Sequence, residues 1–253
     1  MKVAMSNLRT IGAFAPAPPE DGYFYPEKYV AFVDILGFSD LVERADQDRE
    51  LRKSLAGILH VFQTTCGTMP TLGTKVTQFS DSLVITANRT EQGLRSILSG
   101  CEWLTMNLIQ YAVLLRGGVA VGRVSHEPHV LFGIGVNRAY QFEKSGGPPR
   151  VGLASDVVAD IESYPLFKDS AVSTTDPQSG VPMLHTLRQV EYYDAVPIAG
   201  GIVWDRTARH IADLIKANAS DQDMPESARR KWIWLQAYWN LAVARFGILP
   251  TAT

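Results

Sequence analysis

Two aspartates, Asp34 and Asp81, and one arginine, Arg116, stand where chemistry could be done. Asp34 follows an apolar run, Tyr29, Val30, Ala31, Phe32 and Val33, and precedes Gly37 and Ser39. Such a run reads as a strand buried on both faces, and an ionised carboxylate at its end needs a partner because an unpaired buried charge is costly. Gly37 permits a tight turn, and Ser39 can cap a helix whose first free N–H groups point at an anion. Strand, carboxylate, turn and helix N-terminus together make a place where a metal and a phosphate could meet. For this stretch alone the plainer alternative is a surface aspartate capping the next helix. Asp81 sits in Ser80-Asp81-Ser82, which by itself is ordinary turn chemistry. Arg116 stands just before Gly117-Gly118, inside an otherwise aliphatic strand segment where paired glycines signal a close approach to the backbone.

The elements that would position these groups follow from periodicity. Leu51, Leu55, Ile58, Leu59 and Phe62 recur at helical spacing, with Arg44, Asp48, Arg49, Arg52 and Lys53 opposite, and predict an amphipathic helix packed on a sheet. Thr74 to Ala87 reads as strand, tight hairpin and strand, with Asp81 at the tip. Leu94, Ile97, Leu98, Cys101, Leu104 and Leu108 mark a second helix. Tyr111 to Val124 reads as a strand broken by Gly117 and Gly118, His129 to Asn137 as another strand, and Asn137 to Lys144 as a short helix. Arg150 to Ala154 and Ser155 to Ile161 give the next strand and helix. Lys168 to Pro182 reads as a loop and Met183 to Ala199 as the last β segment. Trp204 to Asn218 and Pro225 to Phe246 read as helices. The second is apolar nearly all round, so it is either buried or a dimer contact. The order β, α, β, β, α, β, β, α, β fits an α+β, split βαβ, ferredoxin-like palm with helices on one face of a mainly antiparallel sheet. In such a palm the end of the first strand and the hairpin tip are neighbours. Asp34 and Asp81 then converge into an oxygen-rich site suited to Mg²⁺ or Mn²⁺, and two such ions can activate an attacking oxygen and neutralise a leaving phosphate.

Composition narrows the classes. Lys and Arg number 24 against 26 Asp and Glu, a net charge of −2, so no polycationic surface advertises nucleic acid or an anionic membrane. The two cysteines, Cys66 and Cys101, cannot make a disulfide framework and read as core thiols of a reducing compartment, the cytoplasm. The least charged stretch, Ile97 to Leu115, is too polar for a membrane span. Residues 1–26, rich in proline, read as a flexible arm, residues 27–200 as the catalytic domain, and residues 201–253 as a helical extension. His126-x-x-His129 reads as a surface turn, and Gly133-x-Gly135 lacks the rest of a dinucleotide fingerprint.

Over roughly Glu27 to Ala199 these ordered motifs resemble the class III nucleotidyl cyclases. FVDILGFSD resembles that family's first metal-site strand, which implies Asp34 as a metal ligand, Ile35 as a carbonyl ligand, and Gly37, Phe38 and Ser39 as the turn that holds the triphosphate. QFSDSLVI resembles the hairpin with the second metal aspartate, Asp81. LLRGGVAVGRV resembles the strand whose arginine, Arg116, contacts the triphosphate, and GIGVNRAYQFE resembles the segment carrying the catalytic asparagine, Asn137. The resemblance implies two Mn²⁺ or Mg²⁺ ions per site and attack of a ribose 3′-hydroxyl on the α-phosphate of a nucleoside triphosphate. It also implies a homodimer with active sites shared head to tail.

Three positions depart from the family. Its transition-state arginine is replaced by Gln141, leaving Lys144 as a candidate for that charge, with Arg138 less well directed. The two positions at which purine cyclases read their base are Thr77 and Val130, where adenine-specific members are expected to carry Lys and Asp, and guanine-specific members Glu and Cys. In wording, AFVDILGFSD and QFSDSL are most similar to the uridylate and cytidylate cyclases of Pycsar anti-phage defence. That similarity implies UTP or CTP as substrate.

Overall fold

The computed structural model describes residues 25–188 and 201–244. The N-terminal arm up to residue 24, and the β segment expected beyond residue 188, lie outside the described residues. The described residues open with β1 (Glu27–Ile35), α1 (Phe38–Gln47) and α2 (Arg49–Thr68), continue through the hairpin β2 (Thr74–Phe79) and β3 (Ser82–Asn88), and then α3 (Glu91–Leu108) and β4 (Leu115–Arg123). A small hairpin, β5 (Ser125–Glu127) and β6 (Val130–Phe132), leads to α4 (Ile134–Lys144). Then come β7 (Val151–Leu153), α5 (Ser155–Ser163), β8 (Ser173–Thr175) and β9 (Pro182–Leu184). The last described elements are α6 (Gly201–Ser220) and α7 (Glu226–Ala244).

Seven strands form one sheet in the order β2-β3-β1-β4-β7-β9-β8. Its first four are antiparallel throughout and have the split βαβ order, while β7 runs parallel to β4. The fold is therefore α+β, with a mostly antiparallel mixed sheet, helices and a C-terminal helical part.

Alternation along β1 sorts its side chains between two layers. Tyr29, Ala31, Val33 and Ile35 enter the main core with Ile58 and Phe62 of α2 and Leu94, Ile97 and Cys101 of α3. Val30 faces the other way, joining Val84, Ala120, Val124 and Ala139. Helices accordingly cover both faces, not one as the sequence suggests, because α4 lies on the second face. Its approach explains the glycines of β4, which runs unbroken from Leu115 to Arg123. A Cβ on Gly118 would lie 2.4 Å from the Phe142 ring, and one on Gly122 would lie 2.6 Å from Gly135 Cα. Small residues here let α4 dock directly on the backbone.

Helix starts follow local chemistry. The Asp48 side chain accepts from the N–H groups of Glu50 and Leu51 at 2.8 and 3.3 Å and caps α2, and Thr90 caps α3. Between them α6 and α7 hold a second core, with Trp232, Trp234, Leu235 and Trp239 buried against Met106, Ile109, Met183, Ile211 and Ile215. The aromatic face of α7 is thus covered by its own chain, and Ile233 and Leu241 remain exposed.

Two further expectations change. The strand predicted over His129 to Asn137 is only Val130–Phe132, and α4 starts at Ile134, three residues before Asn137, behind the cap residue Gly133. The stretch read as a loop after Lys168 contains β8, which exists through its pairing with β9.

Candidate active site

Asp34 lies opposite Ser82 on β3 and opposite Arg116 on β4, so strand pairing alone sets the three side by side. The Ser82 hydroxyl donates to Asp34 Oδ1 at 2.6 Å, and the Ile35 N–H donates to the Asp81 carbonyl at 3.1 Å, which pins the hairpin tip to the end of β1. Asp34 and Asp81 therefore do converge. Burial raises the Asp34 pKa above the usual carboxylate range, the Ser82 hydrogen bond opposes that, and the charges of Asp81 and Glu143 raise it further against Arg116. A carboxylate strained in this way gains from a cation.

The donor set fits a hard divalent ion. Asp34, Asp81 and the Ile35 carbonyl offer oxygen only, the ligand type of Mg²⁺ and Mn²⁺. Among the described residues no group of three or more His, Cys, Asp and Glu side chains is gathered to hold a metal. An ion here takes its remaining ligands from phosphate and water, as Mg²⁺ commonly does.

Arg116 is the positive counterpart. Its Nη2 donates to Glu143 Oε1 of α4 at 2.5 Å, and its Nε is buried without a partner. Glu143 fixes the guanidinium plane, and an unpaired buried N–H costs about 1–3 kcal/mol unless a ligand meets it. The sequence reading passed over Glu143; its spacing from Arg116, 27 residues, carries no local signal.

The turn after β1 differs in detail from expectation. Gly37 itself is the cap residue of α1, in the left-handed region with φ 75°, and no side chain caps the helix. Ser39 sits inside the first turn and is exposed, and Phe38 packs on the main core. The backbone N–H groups of that first turn have no intrahelical acceptor and carry the positive end of the helix dipole.

Asn137, Gln141 and Lys144 are all exposed on α4. Gly135 packs on Gly122 at one end of β4, while Glu143 reaches Arg116 at the other. Asn137 precedes Glu143 by six residues, about 9 Å of helix rise, so it does not join the carboxylates within one chain. Arg138 is turned to the sheet, donating to the Val121 carbonyl at 3.0 Å with Asp156 3.9 Å away.

Thr77 and the β5–β6 hairpin are brought together by a residue the sequence reading misjudged. His126 is not on a surface turn: it is 3% exposed, in β5, with Nε2 2.7 Å from Thr77 Oγ1 and Nδ1 2.8 Å from Thr86 Oγ1. Burial and the neighbouring Lys75 and Lys28 charges push its pKa down to about 4, so the ring is neutral near pH 7. Lys75 donates to the His126 carbonyl at 2.6 Å and to Glu127 at 2.9 Å, fastening the hairpin to β2. Val130 is half-buried in the same hairpin, whereas His129 is exposed.

No family model matches the chain, and no curated protein matches it. Among solved structures the chain is similar to the adenylyl cyclase CyaB from P. aeruginosa, at 16% identity over 64% of this chain and 93% of that one, with a TM-score of 0.47. It is also similar to the dimeric guanylyl cyclase domain of the RhoGC fusion protein from the aquatic fungus Blastocladiella emersonii, at 15% identity over 63% and 93%, TM-score 0.47. A bacterial light-regulated adenylyl cyclase gives 16% identity over 65% and 53%, TM-score 0.43. Likeness at this level carries no functional argument.

Proposed function

We propose that this chain is a metal-dependent nucleotidyl cyclase that converts a pyrimidine nucleoside triphosphate, UTP ahead of CTP, to the 3′,5′-cyclic monophosphate and pyrophosphate. The observation that carries the reading is the convergence of Asp34 and Asp81 beside Arg116, whose buried Nε–H awaits an acceptor. Two carboxylates and one carbonyl, with no third His, Cys, Asp or Glu side chain gathered to them among the described residues, suit a site completed by substrate phosphates.

In this reading Asp34, Asp81 and the Ile35 carbonyl would hold two Mn²⁺ or Mg²⁺ ions. Bound there, such ions lower the pKa of an attacking hydroxyl and offset charge on the phosphates. The ribose 3′-oxygen bonds to the α-phosphorus, the bond from that phosphorus to the β-phosphate oxygen breaks, and the hydroxyl proton passes to solvent. Arg116, held in plane by Glu143, takes the negative charge that builds on the phosphates. The N–H groups of Gly37, Phe38 and Ser39 bind the same tail.

Asn137, with Gln141 and Lys144 on the same exposed face, acts on the site of a second copy in a head-to-tail homodimer. Gln141 donates a hydrogen bond without charge, and Lys144 supplies the charge one turn further on. The base lies near Thr77 and Val130, where a hydroxyl and a branched aliphatic side chain offer no ionised group to a purine. A pyrimidine, read by neutral contacts, suits them better, and the cyclic product would serve as a second messenger in bacterial anti-phage defence.

Incubating the purified chain and Mn²⁺ with each of ATP, GTP, UTP and CTP, and separating the products, tests activity and base together. Cyclic UMP or cyclic CMP is the expected product. A purine product would overturn the base reading. The uncharged Gln141 favours the second reading, a nucleotide-binding module without turnover, and absence of any cyclic product would put that one in front.

A further inference from the structure

A cleft of about 330 Å³ opens beside Arg116, and α7 forms one of its walls. Arg116, Ser227, Arg230, Lys231 and Trp234 line it together with Gly147 and Pro148. Three cationic side chains thus face one small space. Two of the lining residues also carry a buried N–H without a hydrogen-bond partner, Arg116 Nε and Trp234 Nε1, and Trp234 is 2% exposed. Buried donors are nearly always paired, so two orphans in one cleft point to an acceptor that belongs there.

The carboxylates nearby do not fill that role. Glu143 takes one nitrogen of Arg116, Glu226 stands 3.8 Å from Arg230 one turn away on an exposed face, and Asp40 acts on Lys231 through space. Burial and the Arg116 charge lower the pKa of Lys231, with Asp40 opposing, so an added anion would relieve this lysine. Asp34 lies opposite Arg116 across the β1–β4 pairing, so the cleft adjoins the carboxylate pair.

We infer that this cleft binds the diphosphate end of a nucleoside triphosphate, and that the C-terminal helix α7 supplies Lys231 and Arg230 to it within the same chain. The identity of the nucleotide rests on the reading above, whereas the anion rests on the cleft's own chemistry. The C-terminal helices are then part of the binding site as well as a second core. Charge-assisted hydrogen bonds from Lys231, Arg230 and the two orphan donors are the kind that hold phosphate oxygens.

Inorganic pyrophosphate, titrated calorimetrically into the full chain with chelator present, probes the cleft without metal or turnover. The parent is expected to bind it, and Lys231→Gln with Arg230→Gln to bind about ten-fold more weakly or worse, while Lys231→Arg stays within about three-fold of the parent. Trp234→Phe removes the N–H while keeping an aromatic ring in place and is expected to weaken binding about three-fold once melting shows it folded, which keeps the test open if the double variant fails to fold. Binding unchanged in the double glutamine variant and in Trp234→Phe, or no binding by the parent, overturns the inference. If no cyclic product forms from any nucleotide yet the pyrophosphate pattern holds, the cleft stands and the cyclase reading falls. If the double variant cyclises with an unchanged KM, the cleft falls and the cyclase reading stands.

Discussion

Replacing Asp34 by asparagine separates two things the carboxylate does. The amide keeps the shape and a carbonyl to accept from Ser82, but it removes the charge that burial and Asp81 disfavour. Because the folded pKa is raised above the unfolded one, the folded chain binds more protons, and the charge costs stability increasingly as pH rises through that folded pKa. Asp34→Asn in chelator should therefore melt above the parent at pH 8, by about 2–4 °C for each kcal/mol relieved, with the gap closing as pH falls into the carboxylate range. The same variant, and Asp81→Ala, should lose cyclisation entirely; a folded variant with near-parent turnover would remove both aspartates from the chemistry. His126 has the opposite linkage. Its pKa, held down at about 4, means that the unfolded chain takes up a proton the folded one refuses. Stability is full above about pH 6.5 and falls between there and pH 4, by up to about 3 kcal/mol. His126→Ala should flatten that part of the pH–stability curve while costing about 2–4 kcal/mol at pH 7. The histidine's part was not readable from the sequence, because its partners Thr77 and Thr86 lie 49 and 40 residues away.

At the level of elements, the first four strands, the hairpin with Asp81 at its tip and helices α2 and α3 were legible, since each carries its own periodicity and turn residues. The meeting of Asp34 and Asp81 followed from that order. What escaped was whatever depends on a distant surface. The three-residue strand β8 exists by pairing with β9, and α4 begins early because Gly133 and Gly135 fit against β4, not because of a polar cap. The same packing makes a prediction. Gly118→Ala would press a methyl into Phe142, which lies over Gly118 and Gly152 together, and should cost about 1–3 kcal/mol. Phe142→Leu in that background should recover part of the loss by thermal melting. Recovery of binding as well would show that α4 sets the position of Arg116 through Glu143.

For the whole molecule, the single chain gathers Asp34, Asp81 and Arg116 but holds Asn137 and Gln141 exposed on another part of α4. If sites are completed head to tail, Asp34→Ala and Asn137→Ala chains, each inactive alone, should regain activity when unfolded together and refolded as a mixture. Half of the dimers are then mixed and each has one intact site, so about a quarter of parental activity is expected. No recovery would require both groups of residues to serve one chain. The separation of the two sets is itself a fold property, since the length of α4 spans β4 from Gly122 to Arg116.

The hydroxyl–imidazole–hydroxyl chain from Thr77 through His126 to Thr86 has a polarity. A neutral imidazole carries one hydrogen and one lone pair, so one threonine must give its proton to the ring while the other receives one. Moving the ring hydrogen from one nitrogen to the other reverses the whole row. Thr77, half-buried at its outer end, then presents an O–H in one arrangement and lone pairs in the other. A ligand atom resting on Thr77 thereby chooses the tautomer, and through it turns the hydroxyl of Thr86, 1% exposed inside the sheet.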